Sequence, residues 1–335
     1  MATASAAKPE YTAYVVAGST KYDITPAIVS IDISDQKKQI AKRVTIQMMN
    51  TKVGDQYLTG LLTVPYRVFL HANDGSKSDE VFRGFVWERA YKSSMTDRTF
   101  QLRCYDNLIY FQKSDHSAYF PSGKSTQDVC TSLCKEWGVE LEYTYESITH
   151  AKLPLRGNLA DIFTADILDL VKDRTGTKYV ILSEKDVVQI KPEGANTTIY
   201  RFTADQNAIQ TYSVCTMDGI VTKVIILGKE DKDEREPVEA TVSGDTDQYG
   251  TVQQTINRSE NTTLADAKTE AQSIIDEKGE PKWEYELRAA DIPWIRKGDK
   301  VYVDAGDMSG YYIVTGIDRA ITSQRREMTL DLEKP

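Results

Sequence analysis

The chain has 335 residues, of which 40% are hydrophobic and 27% charged, and a formal net charge of −9. That length supplies roughly two or three domains with cores of their own, and an acidic balance without a basic stripe excludes a protein that grips nucleic acid by its phosphates. No apolar run approaches the ~20 residues of a membrane-spanning helix, and Met1–Lys8 is an Ala/Ser/Thr tail without the apolar stretch of a secretory leader.

Residues 1–10 read as a disordered tail. Strands are expected at Tyr11–Val16, Ile28–Ile33 and Lys42–Met49, the last with Val44, Ile46 and Met48 on one face. Thr51–Leu62 is polar with glycines and reads as a loop or short turn. Arg67–Leu70, a turn at Asn73-Asp74-Gly75, and two strands within Val81–Asp106 complete a first sheet. Phe100, Leu102 and Cys104 alternate there with polar residues, and Gly84 marks a bulge or a close backbone approach. The first β domain is therefore placed at 11–120.

The pattern changes at Phe120-Pro121. Ser125-Thr126-Gln127-Asp128 is a capping box that opens a helix with Val129, Leu133 and Trp137 on its buried face, ended by Gly138. Val139–Tyr145 reads as a strand. Asn158 caps a second helix with the stripe Ile162, Phe163, Ile167, Leu170, Val171, closed by Gly176. Lys178–Leu182 and Val187–Ile190 form a hairpin. Residues 121–195 are thus a small α+β module.

Strands return at Thr198–Phe202, Ile209–Val214 and Ile220–Leu227. Residues 229–248 read as an acidic loop around the charge run Lys229–Glu239. Thr263-Leu264-Ala265-Asp266 caps one long helix. Trp283, Tyr285 and Leu287 alternate as a strand, and Lys300–Val303, Tyr311–Ile317 and Met328–Leu332 finish a second β domain, 196–335. The fold class is mainly β with an α+β insert: two β-barrel or sandwich domains flanking a small module.

The two β domains resemble each other. Arg67–Leu70, turn, Val81–Phe85 and Phe100–Cys104 match Lys300–Val303, turn, Ile313–Ile317 and Met328–Leu332 in order and alternation. This reading sets Val81-Phe82-Arg83-Gly84-Phe85 against Ile313-Val314-Thr315-Gly316-Ile317, glycine on glycine.

Reactive constellations are scarce. His71, His116 and His150 are far apart in sequence. Cys104, Cys130, Cys134 and Cys215 sit in apolar patterns and read as small buried hydrophobes of a reducing compartment. Cys130 and Cys134 share a helix face with Val129, Leu133 and Trp137, so packing outweighs zinc. Asp245 and Asp247 lack the closing glutamate of a calcium loop. Glu140/Glu142 and Glu284/Glu286 share strand faces, a pattern commoner on exposed sheets than in glycoside hydrolysis. No catalytic, cofactor or metal residue is assigned and no enzyme is expected. The 19 tyrosines suit sheets and wet interfaces.

The runs Phe82-Arg83-Gly84-Phe85 with Leu102–Leu108, Gly123–Thr126 with Glu136–Val139, Thr175–Tyr179, and Gly298–Val301 with Gly310-Tyr311-Tyr312 are similar to contractile-tail baseplate hub proteins. That is the late-control-protein-D-like family, including the hubs of PBSX-type defective prophages and of tail-like bacteriocins (tailocins) from Gram-positive bacteria. Many relatives carry a histidine where Arg319 and Ala320 stand here. The resemblance implies a structural virion component of a contractile injection system: a homotrimeric, pseudo-sixfold ring of tail-tube-like barrels joining the hexameric tail tube to the trimeric spike. It implies a LysM-like middle module, contacts with other baseplate proteins and the tape measure protein, no cofactor, no specific nucleic acid and no membrane insertion. Assembly is expected in the bacterial cytoplasm, with the particle then released. The alternative is a tail-associated protein that binds or hydrolyses peptidoglycan, with Trp137, Tyr143, Tyr145 and Tyr179 as sugar-stacking candidates.

Overall fold

The computed structural model describes residues 2–3, 8–93, 98–144, 147–228, 236–258 and 262–335. The main sheet has fourteen strands: two short ones, Ala2–Thr3 and Thr20–Asp23, lie at its edges, and twelve carry the repeat. In the first half they are β1 (Glu10–Ala17), β2 (Ile28–Asp35), β3 (Arg43–Met49), β4 (Arg67–Asn73), β5 (Ser78–Ser93) and β6 (Arg98–Tyr105). In the second half they are β7 (Tyr200–Thr203), β8 (Ala208–Thr216), β9 (Lys282–Ala290), β10 (Lys300–Ala305), β11 (Met308–Thr322) and β12 (Arg326–Glu333).

The neighbours run β2-β3-β6-β5-β4-β1 in the first half and β8-β9-β12-β11-β10-β7 in the second. Position for position, this is one strand order used twice. The match extends to local detail. In the first half the β5–β6 ladder slips at Trp87, between the pairs Cys104–Val86 and Arg103–Glu88. In the second the β11–β12 ladder slips at Thr315, between Leu332–Val314 and Asp331–Gly316. Asn50 N–H donates to the Arg98 carbonyl, and Asp291 N–H donates to the Arg326 carbonyl. One difference is orientation: β1 is antiparallel to β4, whereas β7 is parallel to β10.

This pairing corrects the glycine alignment. The bulges make Gly316 equivalent to Glu88, and Gly84 equivalent to Tyr312: Gly84 lies opposite Val68 as Tyr312 lies opposite Val301. The β-domain likeness holds; its register moves by four residues.

All six strands of the first half turn one face inward. Ala13, Val15, Ile31, Val44, Ile46, Val68, Leu70, Phe100 and Leu102 form one buried core, each large aliphatic side chain worth about 1.5–3 kcal/mol of burial. The expected loop at 51–62 holds a short hairpin, Lys52–Val53 with Gln56–Tyr57, and a helical turn, Leu58–Leu61. Leu58 and Leu62 are buried in the same core, which explains why the chain folds back there. Of the expected disordered tail, residues 1 and 4–7 lie outside the described residues, and Ala2–Thr3 is a short strand parallel to β7, whose edge offers main-chain partners.

The middle module packs two helical segments on a three-stranded sheet of Glu140–Tyr143, Val187–Pro192 and Tyr179–Glu184. Ser125 and Asp128 form the expected capping box of Thr126–Glu136. Leu159–Thr175 is helical, with a π-helical stretch at Ile162–Leu168, and Gly176 ends it at φ +73°. Leu170 is exposed, while Val129, Leu133, Ile162, Phe163, Ile167 and Val171 are buried.

Residue contacts divide the chain into two compact units, 1–212 with 286–335, and 213–285. The second unit holds a three-stranded sheet, Val238–Ser243, Lys223–Leu227 and Gln253–Asn257, and the helix Leu264–Lys278. Val224, Ile226, Ala267, Ala271 and Ile275 are its core. The capping box Thr263–Asp266 is present. Of the expected acidic loop 229–248, residues 229–235 lie outside the described residues. The rest holds the strand Val238–Ser243 and a helical turn, Thr246–Tyr249, because Ala240 and Val242 pack on this core.

Candidate assembly interface

The two halves meet edge to edge within the first unit. β11 is long enough to serve three neighbours. Its first part pairs with β10, its later part with β12, and Ile317–Thr322 pair on the free side with Ser30–Asp35 of β2. Ile321 enters the core of the first half. The seam is therefore a continuous antiparallel ladder with its own apolar contact.

Buried charges lock it. Arg319 donates from Nε to Asp291 Oδ1 at 2.9 Å and from Nη2 to the carbonyls of Ile292 and Ile295. Tyr11, from the first half, donates its hydroxyl to Asp291 Oδ2 at 2.5 Å. Burial pushes the Asp291 carboxyl above its ordinary pKa, and Arg319 and Tyr11 offset part of that. Lys297 ion-pairs with Asp35 at 2.7 Å and donates to the carbonyls of Gln36 and Gln39. Burial opposes ionisation of Asp35, but Lys297 and Lys42 outweigh it and hold its pKa below the usual value. Trp294 Nε1 donates to Asp74 at 2.6 Å, with Lys77 over the indole.

The hairpin 179–192 of the middle module braces both halves. Asp186 accepts from Arg67 at 2.5 Å and from Arg83 at 3.4 Å, and Lys185 meets Asp79 at 3.0 Å. On the other side Arg296 meets Glu184 at 2.8 Å. Glu333 accepts from Lys37 and Lys178. Burial raises the Glu333 pKa, yet the two lysines outweigh it and hold it at about 2. A carboxylate depressed in the folded state adds stability above its unfolded pKa and loses it as pH falls through the folded value. Glu333→Gln is thus expected to flatten the loss of stability between pH 4.5 and 2. Urea midpoints that fall equally in wild type and variant over that window would contradict this.

The candidate chemical groups are not brought together. His150 faces Thr126 at 2.9 Å, and His116 lies against Trp137 with Glu136 at 3.3 Å. Cys104, Cys130 and Cys134 are buried as expected, and burial raises their pKa values, to about 12 for Cys134. Cys215 is exposed, contrary to its apolar sequence context, because β8 is the outermost strand of the sheet. Glu142 accepts from Gln189, Glu284 pairs with Lys282, and Asp245 caps the turn 246–249 through the Gln248 N–H. Trp137 is half-buried against the module's core, and Tyr143 stacks on Tyr179 at 6.5 Å. Tyr145 lies outside the described residues. Among the described residues no group of His, Cys, Asp and Glu is arranged to hold a metal ion, and no helix is long and apolar enough to cross a membrane.

Residues 31–333 match the family model described as YQBQ-like. The chain belongs to the YQBQ-like family. No curated protein matches it in sequence. The 43 kDa tail protein of prophage MuSo2 from Shewanella oneidensis is similar in structure over 97% of this chain and 99% of its own, with TM-score 0.70 and 14% identity. The tail protein from Neisseria meningitidis MC58 is similar over 97% and 96%, with TM-score 0.68 and 12% identity. A type VI secretion component of E. coli, itself described as similar to T4 bacteriophage tail proteins, is similar over 92% of this chain and 74% of its own, with TM-score 0.55 and 9% identity. At such identities the likeness is one of fold. This YQBQ-like chain has the fold of phage tail proteins, mainly β with an α+β insert, as its sequence implied.

Proposed function

We propose that this YQBQ-like chain is the structural hub of a contractile-tail baseplate, whether of a phage, a prophage-like particle or a tailocin. Three copies close a ring that presents six similar β units, and the ring joins the hexameric tail tube to the trimeric spike. The observation that supports this reading is the single strand order used twice in one chain and joined edge to edge. A closed ring needs matched, repeated surfaces, and a duplicated unit lets a threefold assembly offer near-sixfold contacts to a sixfold partner.

In this reading, 11–120 and 196–335 are the two tube-like domains and 121–195 is the LysM-like brace between them. The acts are binding acts: tube protein on one face, spike on the other, with other baseplate proteins and the tape measure protein as further contacts. Assembly takes place in the bacterial cytoplasm and the chain leaves within the particle. Light scattering on the purified protein tests the reading. The expected mass is three times the 37.7 kDa of one chain; a strictly monomeric protein that is absent from purified tails would end it.

A further inference from the structure

One turn of the chain is held against its own backbone preference. Glu184 pairs with Val187, so the hairpin of the middle module turns on two residues, Lys185 and Asp186. Both are left-handed, at φ +50° and +74°, and among the described residues they alone are non-glycine positions with positive φ. A two-residue turn of this hand favours Asn-Gly, because a Cβ is unwelcome at both places. Such strain persists only where surrounding contacts hold it.

The contacts that hold it come from the first half. Lys185 Nζ donates to Asp79, and Asp186 accepts from Arg67 and Arg83. The carbonyls of the turn are taken as well, that of Lys185 by Arg83 Nη1 and that of Asp186 by Asn107 Nδ2 at 2.7 Å. The receiving side stands without the turn: Glu80 clamps Arg83 with both carboxylate oxygens, and Arg67 and Arg83 lie over the rings of Phe85 and Phe69. The turn is the part that can leave. Ser183 to Asp186 brings no apolar side chain, whereas Ile181, Val188 and Ile190 fix the base of the hairpin in the module core. The side chains of Arg67, Arg83 and Asp186 are 33%, 27% and 34% exposed, so their ion pairs are modest and open to screening by salt. Backbone strain drives the tip off and modest ion pairs hold it on, which sets the docked and released positions close in free energy.

We propose that Lys185-Asp186 is a releasable latch: the hairpin tip docks on the outer face of β4 and β5 through its ion pairs and swings off when they are screened, while the base of the hairpin stays in place. A cavity of about 340 Å³ lies between the hairpin and β5, lined by Phe82 and Arg83 on one side and by Ser183, Val187 and Gln189 on the other. Release of the tip widens its mouth. The device belongs to the single chain and does not depend on the ring.

Paired spin labels test it. One sits on the tip at Lys185→Cys, which leaves Asp186 and both arginines in place, and one on the first half at Thr20→Cys, with Cys215→Ser removing the exposed natural thiol. The labelled chain is diluted with unlabelled chain, so that distances within one copy are read by pulsed electron resonance. Spectra are compared in ~0.1 M and ~1 M NaCl, between which the screening length falls from about 10 Å to about 3 Å. The expected result is one dominant distance at low salt and a second, distinct distance whose share rises about tenfold relative to the first at high salt. Adding Asp186→Gly removes the carboxylate and relaxes the turn, and should make the second distance dominant already at low salt. A single distance at both salt concentrations overturns the latch, and so does an Asp186→Gly chain that keeps the low-salt distance alone. Should Asp186→Gly fail to fold, the salt series on the labelled chain decides by itself.

Discussion

Replacing Arg319 by leucine is expected to destabilise the fold by about 3–5 kcal/mol, the usual cost of removing one member of a buried ion pair. The Arg319 side chain is 5% exposed and that of Asp291 is fully buried. Its loss leaves the Asp291 carboxylate with the Tyr11 hydroxyl as its side-chain donor among the described residues, and takes the Nη2 donor from the carbonyls of Ile292 and Ile295. The Ile292 carbonyl keeps the Ile295 N–H as a donor, and an unmet buried acceptor costs ~1–3 kcal/mol, so the Ile295 carbonyl adds to the loss. Lysine at this position keeps a charge but not the planar fork, and should recover only part. The pH response separates this mechanism from lost packing. Burial already raises the Asp291 pKa, and Arg319 is the largest influence holding it down. Without Arg319 the folded-state value rises further. A carboxyl with a raised folded pKa costs stability as pH climbs from its unfolded value toward the folded one. The variant should therefore be closer to wild type at pH 5 than at pH 8 in urea unfolding. A loss that is the same at both would assign the effect to packing instead.

The same residue shows where sequence reasoning stops. Arg319 and Ala320 stand out in the sequence only as a departure from the histidine of hub relatives. What makes Arg319 a lock is Asp291, 28 residues earlier, and Tyr11, at the other end of the chain. Nothing in local periodicity joins them. The strands themselves were legible because half-buried strands alternate: Val44, Ile46 and Met48 in β3, and Met328, Leu330 and Leu332 in β12. Capping boxes at Ser125 and Thr263 were legible because the chemistry is local. The strand at Val238–Ser243 was hidden because acidic neighbours mask the alternation of Ala240 and Val242. Exposure of Cys215 was hidden because an outermost strand reads like a central one until its partners are known.

The repeat was legible in order but not in register, and the reason is chemical. Glycine looks like the fixed point, yet Phe82 and Gly84 of β5 occupy the places of Gly310 and Tyr312 in β11. The aromatic ring and the bare backbone have exchanged positions, so matching glycine to glycine slides the frame. The bulges at Trp87 and Thr315 hold the frame with no shared residue type, since a bulge is set by pairing and not by one side chain.

Gly84→Ala against Gly316→Ala turns that register into a measurement. At Gly84 a methyl group would run into the backbone carbonyl of Tyr105 and lie 2.6 Å from the Phe82 ring. Tyr105 is held by ladders on both sides, to Phe85 and to Arg43, so its carbonyl has nowhere to go. Phe82 is buried in the core of the first half. Forcing extra volume between a pinned backbone and a packed ring costs about 1–3 kcal/mol, and both obstacles here are rigid, so the upper end is expected. At Gly316 the methyl group meets the end of the Asp331 side chain, with Gln36 Oε1 at 3.0 Å. Those are side-chain tips that rotate away, and replacing glycine by alanine in extended backbone returns about 0.4–1 kcal/mol through the unfolded chain. Gly316→Ala should therefore be near neutral while Gly84→Ala is strongly destabilising, by urea midpoint at constant m-value. If the two glycines were true counterparts in the repeat, as the sequence alignment had them, the two variants would lose stability together.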